Sequence, residues 1–269
     1  MTGTRARVVT LEAIGLTISW RRTAANHTRT ITQVTDPSAD RLRALTDEIV
    51  ACRACPRLVA WRERVAEEKR AAFRDETYWG RPVPGFGDPT ARVLIAGLAP
   101  AAHGGNRTGR VFTGDRSGDW LFGSLHRLGF ANQPDSVSMD DGLELSDAYV
   151  AAAVRCAPPD NKPTPAERDR CLPYLQRELS LLGRVRVVVV LGGFAYDALA
   201  RVLAACDSPL PVPRPKFGHG LEVPTERFVV LGCYHPSQQN TFTGRLTEPM
   251  IDDVFRRARE LARAVPSGS

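Results

Sequence analysis

No apolar run in the 269-residue chain approaches the roughly 20 residues that a membrane-spanning helix needs. Nor does the N-terminus carry the apolar core and small-residue cleavage site of a secretory signal. These absences argue against a spanning segment and against export, so the expected location is cytoplasmic. A disulfide framework is disfavoured with them, because the cytosol keeps thiols reduced. The six cysteines must then serve a metal or fill the core. An internal repeat is also missing, and so is any low-complexity tract beyond a Thr- and Arg-rich N-terminal stretch.

What is present describes a globular chain, with 43% hydrophobic and 25% charged residues. Lys and Arg number 36 against 30 Asp and Glu, and the net charge of +6 suits a polyanionic partner without requiring one. Residues 1–36 carry no sustained period and are expected to form a weakly structured extension, leaving a domain over 37–269. From Pro37 onward Leu42, Leu45, Ile49 and Val50 fall at helical spacing, in a helix that delivers Cys52. Apolar, β-branched or small-residue runs at 92–97, 147–154, 186–191 and 228–234 read as buried strands. Helical patterns at 117–129, from Thr164 onward, at 193–204 and at 248–264 separate or follow them. Such alternation predicts a mainly parallel sheet covered on both faces. The unusual loops all leave strand ends, and so meet at the carboxyl edge, where open α/β sheets hold ligands.

Four cysteines form two pairs. Cys52 and Cys55 make a Cys-x-x-Cys turn, while Cys156 and Cys171 come from a distant loop and the helix that follows it. Together they can give four thiolates to one centre. Zinc and an iron–sulfur cluster satisfy this spacing equally, and four scattered core thiols are the plain alternative. Cys206 and Cys233 lack a partner spacing and read as packing residues.

Two long loops dominate the chain. One runs Gly97-Leu-Ala-Pro-Ala-Ala-His-Gly-Gly-Asn-Arg-Thr-Gly-Arg110; the other runs His235-Pro-Ser-Gln-Gln-Asn-Thr-Phe-Thr-Gly-Arg-Leu-Thr247. With the loop Val154-Arg-Cys-Ala-Pro-Pro-Asp-Asn-Lys-Pro163, they resemble the type-B, or family 5, uracil-DNA glycosylases over about residues 40 to 264. The resemblance implies a three-layer α/β/α sandwich around a four-stranded parallel sheet. It also implies a structural [4Fe-4S] cluster on Cys52, Cys55, Cys156 and Cys171. The reaction would be hydrolytic excision of uracil, and of other deaminated bases such as hypoxanthine, from DNA by a monomeric, nucleoid-associated bacterial enzyme.

Cutting an N-glycosidic bond in duplex DNA requires a flipped base, a stabilised leaving group and a placed water. His235, at the end of the fourth strand, is placed to donate to a base oxygen that becomes anionic; otherwise it merely caps a turn. Relatives of family 4 carry a polar or acidic residue early in the first motif, where Leu98 to Ala102 offer none. Asp115 therefore becomes the first candidate to hold water and stabilise a cationic sugar. Asp119 competes with it, and either one serves equally well as a helix cap. Asn161 is the second polar candidate. The Asn with which family 4 reads uracil corresponds to Ala152, so a broader base range is expected. Phe112 is a stacking platform. Arg107, Arg110 and Arg245, with Ser237 and Asn240, are the expected phosphate contacts. Gly97, Ala99, His103 and Asn106 complete the substrate-facing set. A non-catalytic damage-binding protein of the same fold is the competing reading, and a covalent trapping relative is a third.

Overall fold

The computed structural model describes residues 8–11, 16–19, 31–33 and 37–264. At the N-terminus the strands β1 (Val8–Leu11), β2 (Leu16–Ser19) and β3 (Ile31–Gln33) form an antiparallel meander. The stretch read as weakly structured therefore contains regular pairing. Its strands are rich in β-branched residues, but at three or four residues each they are too short for alternation to be legible.

From Pro37 the elements are α1 (Pro37–Ala51), α2 (Pro56–Glu68), β4 (Phe86–Gly87), β5 (Val93–Gly97), α3 (Gly105–Thr108) and α4 (Arg116–Arg127). Then come β6 (Ala148–Ala152), α5 (Pro165–Leu181), β7 (Val187–Leu191), α6 (Gly193–Ala205), β8 (Glu222–Pro224), β9 (Val229–Cys233), α7 (Gln238–Phe242) and α8 (Glu248–Arg263). The sheet order is β4-β6-β5-β7-β9-β8. Its inner four strands are parallel, as expected, and the edge strands β4 and β8 are antiparallel additions.

Successive strand residues face opposite layers. Val93, Ile95, Val187 and Val189 pack with Leu121 and Leu125 of α4 and with Ile251 and Phe255 of α8. Leu94, Ala96, Val188 and Val190 pack with Leu175 and Leu179 of α5 and Leu199 of α6. Each large aliphatic side chain buried this way contributes about 1.5–3 kcal/mol. Because both faces are covered, the strands read as unbroken apolar runs.

Topology then positions the site. The chain leaves β5 to build β6 on one side, and crosses back to build β7 on the other. The order reverses between β5 and β7, so a crevice opens at their carboxyl ends.

Local chemistry fixes the helices that carry cysteines. Thr164 caps α5 by accepting from the Glu167 amide at 3.2 Å, while Glu167 accepts from the Thr164 amide at 2.8 Å, with Pro165 in the first turn. Glu167 also receives two hydrogen bonds from Arg57 of α2, at 2.8 and 2.7 Å. The helix that begins at Cys55 is thereby tied to the helix that contains Cys171. A fully buried pair, Arg155 with Glu178, pins the Gly/Pro loop before β5. Glu178 accepts from the Gly85 amide at 3.2 Å, and the Arg155 carbonyl accepts from the Val83 amide at 2.7 Å.

Candidate active site

The first motif loop leaves β5 at Gly97 and turns through α3. Glycine is required at 97: a Cβ there would stand 2.7 Å from the Phe112 ring. Phe112 itself has φ 53, a left-handed conformation that costs a bulky residue of order 1–3 kcal/mol. Its carbonyl oxygen would lie 1.9 Å from a Cβ at Gly118. Two glycines thus make room for one strained aromatic, which is buried with only 9% exposure and packs 5.8 Å from the His235 ring. Phe112 is a wall of the site rather than an open platform. Ala152 pairs in register with Gly97 at this floor.

Asp115 follows the Phe112 turn and caps α4, its Oδ1 accepting from the Gly118 amide at 3.1 Å. The helix-capping role and the site role therefore fall on the same residue. Its second oxygen faces Gly104, where a Cβ would come within 2.2 Å. Burial raises the pKa of this carboxyl, partly offset by amide hydrogen bonds at the helix start. Asp119 is exposed in the first turn of α4, away from the cleft lining.

A cleft of about 490 Å³ is lined by Ala101 to Gly104, by Gly114 to Arg116, and by Asp160, Asn161 and Gln238. The structure thus brings Asp115, Asn161, His103 and the second motif loop together. Asn161 and Asp160 both have positive φ, 55 and 53, in a short turn after β6. Asn tolerates that backbone well, and its side chain is left exposed at the cleft.

His235 follows β9 and lies against Gly192, whose φ of 95 and missing Cβ admit it. Burial lowers its pKa to about 4, so at neutral pH the ring is uncharged. Asn240 donates to the His235 carbonyl at 2.8 Å, and Ser237 caps α7. These two residues shape the loop. Arg245 is exposed and lies 4.6 Å over the Tyr234 ring.

His103 is held by Tyr78, whose hydroxyl lies 3.1 Å from Nδ1. That hydroxyl accepts from the Arg70 amide at 3.3 Å and keeps its own hydrogen, which it can donate to an unprotonated Nδ1. With Nδ1 accepting, the imidazole proton sits on Nε2. Burial, with the charges of Arg70 and Arg107, lowers the His103 pKa and keeps the ring neutral.

Three expected DNA contacts lie elsewhere than expected. Arg107 is buried, donating to the His103 carbonyl at 2.8 Å and the Gly114 carbonyl at 3.0 Å, pairing with Glu76 and lying 4.0 Å over Phe73. Arg110 is buried too, bonded to Thr113, to Ser136 and to Asp141 at 2.6 Å. Asn106 is fully buried and donates to the Arg62 carbonyl at 3.2 Å. All three brace loops, because glycine-rich turns without side chains need fixed hydrogen-bonding anchors. Sequence reasoning missed Trp61, Arg70, Phe73 and Arg116, which also line the cleft. Arg116 follows Asp115 directly, a signal that was available. Trp61, Arg70 and Phe73 come from a charged segment with none.

Cys52, Cys55, Cys156 and Cys171 line one cavity beneath the first loop. Leu58, Val154, Cys55 and Cys156 pack with Ala99 of that loop. Among the described residues, no group of three or more His, Cys, Asp or Glu side chains is gathered to hold a metal ion. A single zinc would need its sulfurs at about 2.3 Å from one point; a cluster of several irons holds thiolates around a larger body. The donor set suits anionic sulfur. Arg62, 2% exposed, donates to Cys156 Sγ at 2.9 Å while the Glu63 carboxylate stands off at 3.9 Å, and the Arg155 amide donates to Cys171 Sγ at 3.3 Å. Cys233 and Cys206 pack in the two core layers.

The family model described as the uracil DNA glycosylase superfamily matches residues 84–259. A type-5 uracil-DNA glycosylase of Mycobacterium tuberculosis is 57% identical over 216 residues, which cover 80% of this chain and 79% of that protein. One from Thermus thermophilus is 52% identical over 220 residues, covering 81% and 97%. A type-4 uracil-DNA glycosylase of Archaeoglobus fulgidus is 33% identical over 156 residues, covering 58% and 70%.

Two outcomes follow from the bracing roles. Arg110→Ala strands the Asp141 carboxylate, for which burial acts upward but Arg110 and three backbone amides win, holding the pKa at about 2. Thermal or urea unfolding should show a loss of about 3–5 kcal/mol. An unchanged midpoint would return Arg110 to the DNA contacts. In ¹⁵N-labelled protein, His103 should carry its proton on Nε2 and titrate below the usual histidine range; Tyr78→Phe should release the tautomer, while burial and the charges of Arg70 and Arg107 keep the titration low. A proton on Nδ1 in the parent protein would overturn the tautomer assignment.

Proposed function

Because the chain belongs to the uracil DNA glycosylase superfamily, we propose that it excises uracil from DNA by hydrolysis, and other deaminated bases such as hypoxanthine as well. The observation that carries this reading is the single cleft in which Asp115, Asn161 and the second motif loop meet.

The base leaves the stack and enters beside Phe112 and His235. Neutral His235 donates a hydrogen bond to the base oxygen that gains negative charge, the type of fixed donor that favours a transition state over the substrate. The Asp115 carboxylate, held by its cap bond and given room by Gly104, faces the sugar, stabilises its positive charge and orients water with the Asn161 amide. Ala152 has no amide with which to read the base edge, which supports the wider base range. Phe242, 69% exposed on α7 and stacked by Arg116 at 5.0 Å, suits the apolar wedge that fills the gap left by a flipped base. The exposed cations Arg70 and Arg116 suit the phosphates at the cleft.

Cys52, Cys55, Cys156 and Cys171 would hold the cluster, which supplies a rigid cross-link rather than a step of hydrolysis. It would join α2 and α5 under the first loop. Arg62 and the Arg155 amide would stabilise the bound thiolates. Iron and acid-labile sulfide near four each per chain are expected on analysis of anaerobically purified protein. Stoichiometric zinc would overturn the cluster.

The deciding assay is strand cleavage by alkali after incubation with labelled duplexes that carry uracil, hypoxanthine or an ordinary base. Breaks at uracil are expected, with slower breaks at hypoxanthine. Binding with no breaks in any lane would favour a damage-binding protein instead.

Asp115→Asn gives a sharper test, since Asn caps a helix as well as Asp. The stability contributed by the raised carboxyl pKa is fully present below the unfolded carboxyl pKa and is lost as pH rises through the folded value. At neutral pH the variant should therefore melt no lower than the parent while excision slows about 10²-fold or more. The parent's rate should fall on acidification from a pH above the ordinary carboxylate range, and this limb should vanish in the variant. Full activity in Asp115→Asn would remove the residue from the chemistry.

A further inference from the structure

We propose that the amino-terminal edge of the sheet is a second phosphate-binding site, which takes a DNA duplex segment other than the one at the cleft; the choice of DNA rests on the glycosylase reading. At this edge Arg92 precedes β5, Arg186 precedes β7 and Arg227 lies just before β9. The Arg186 amide donates to the Arg92 carbonyl at 2.9 Å and the Val229 amide to the Arg186 carbonyl at 2.8 Å, so the strand starts lie side by side. Neighbouring strands are about 4.8 Å apart. Arg184 and Arg263 complete a groove of about 690 Å³, in whose lining Glu226 is the one acidic residue.

Arg92 is committed to Asp147, at 2.8 and 3.0 Å from Nε, and serves as scaffold. The other four are exposed, and none forms an ion pair among the described residues. Elsewhere on the surface Arg127, Arg177, Arg214 and Arg257 each hold a carboxylate. Four like charges around one groove repel each other, and an anion removes that repulsion. Guanidinium groups match phosphate with paired hydrogen bonds.

Position decides which anion. The groove and the cleft lie at opposite ends of the same parallel strands, about 17 Å apart for five residues before loops are added. Duplex DNA has a persistence length of about 150 base pairs, so one segment does not fold around the sheet to reach both. The groove therefore takes a second segment, and the protein can pass between segments without releasing the first.

The test uses the full chain with Arg184→Gln, Arg186→Gln, Arg227→Gln and Arg263→Gln combined. Single-turnover excision on a short uracil duplex should match the parent. With the cleft saturated by that short duplex, the parent should capture a second, undamaged labelled duplex and the variant should not. The salt slope of that second binding should reach about 3 to 4 in the parent, at about 0.9 per phosphate. A parent that holds only one duplex, or a variant that captures the second as well, overturns the proposal. So does a groove that takes polyglutamate but no DNA, which would mark an acidic protein as the partner. A parent that excises nothing yet binds two duplexes would instead overturn the glycosylase reading and keep the second site.

Discussion

The Phe112 carbonyl sits where any side chain at position 118 would have to stand. That single close approach sets the path of the chain from the first motif into α4. It holds Phe112 in a left-handed conformation, lays the ring over Gly97, and brings the next turn round so that Asp115 caps α4. Arg107 and Arg110 then hold the turn from either side, through Gly114 and through Thr113 and Ser136. The strain is local and the restraints are many, which is the condition under which an unfavourable backbone persists.

Two titratable groups are placed against their own preferences. Burial raises the Asp115 pKa and lowers that of His235. The His235 shift is a loss of stability that grows as pH falls from the ordinary histidine range toward 4, because only the unfolded chain then takes up the proton. Burial thus keeps the imidazole uncharged at neutral pH and works against charge on the Asp115 carboxyl. Stability for this comes from the layers around the site, where alternate strand residues are buried on both faces.

Much of this is legible in the sequence alone. Uninterrupted apolar runs marked the four parallel strands, because a strand covered on both faces has no polar side to show. Glycine and asparagine clusters marked the loops at the carboxyl edge. The cysteine spacing allowed a common site beside the plain alternative of scattered thiols, and the four line one cavity. Less legible was the division of labour among the arginines: sequence gives charge but not the partner that consumes it, and Arg107 and Arg110 are consumed internally. Equally hidden were β4 and β8, too short for a period, and Trp61, Arg70 and Phe73, which reach the cleft from a segment whose pattern says only that it is exposed. Asp115 against Asp119 is open in the sequence because both lie near the start of one helix; in the structure Asp115 lines the cleft, while Asp119 is exposed outside that lining.

The edge strands carry a consequence for how the chain behaves among its own copies. β7 is a run of four valines and a leucine, the type of segment that recruits further strands when its sheet is left open. On one side the sheet stops at β4, only two residues long. On the other it stops at β8, where Pro224 has no amide hydrogen to give and Glu222 is held by Arg257. Short, charged and proline-bearing margins deny an incoming strand its ladder. Among the described residues, growth of this sheet ends within one molecule, and the valine-rich β7 has three strands outside it on one side and two on the other.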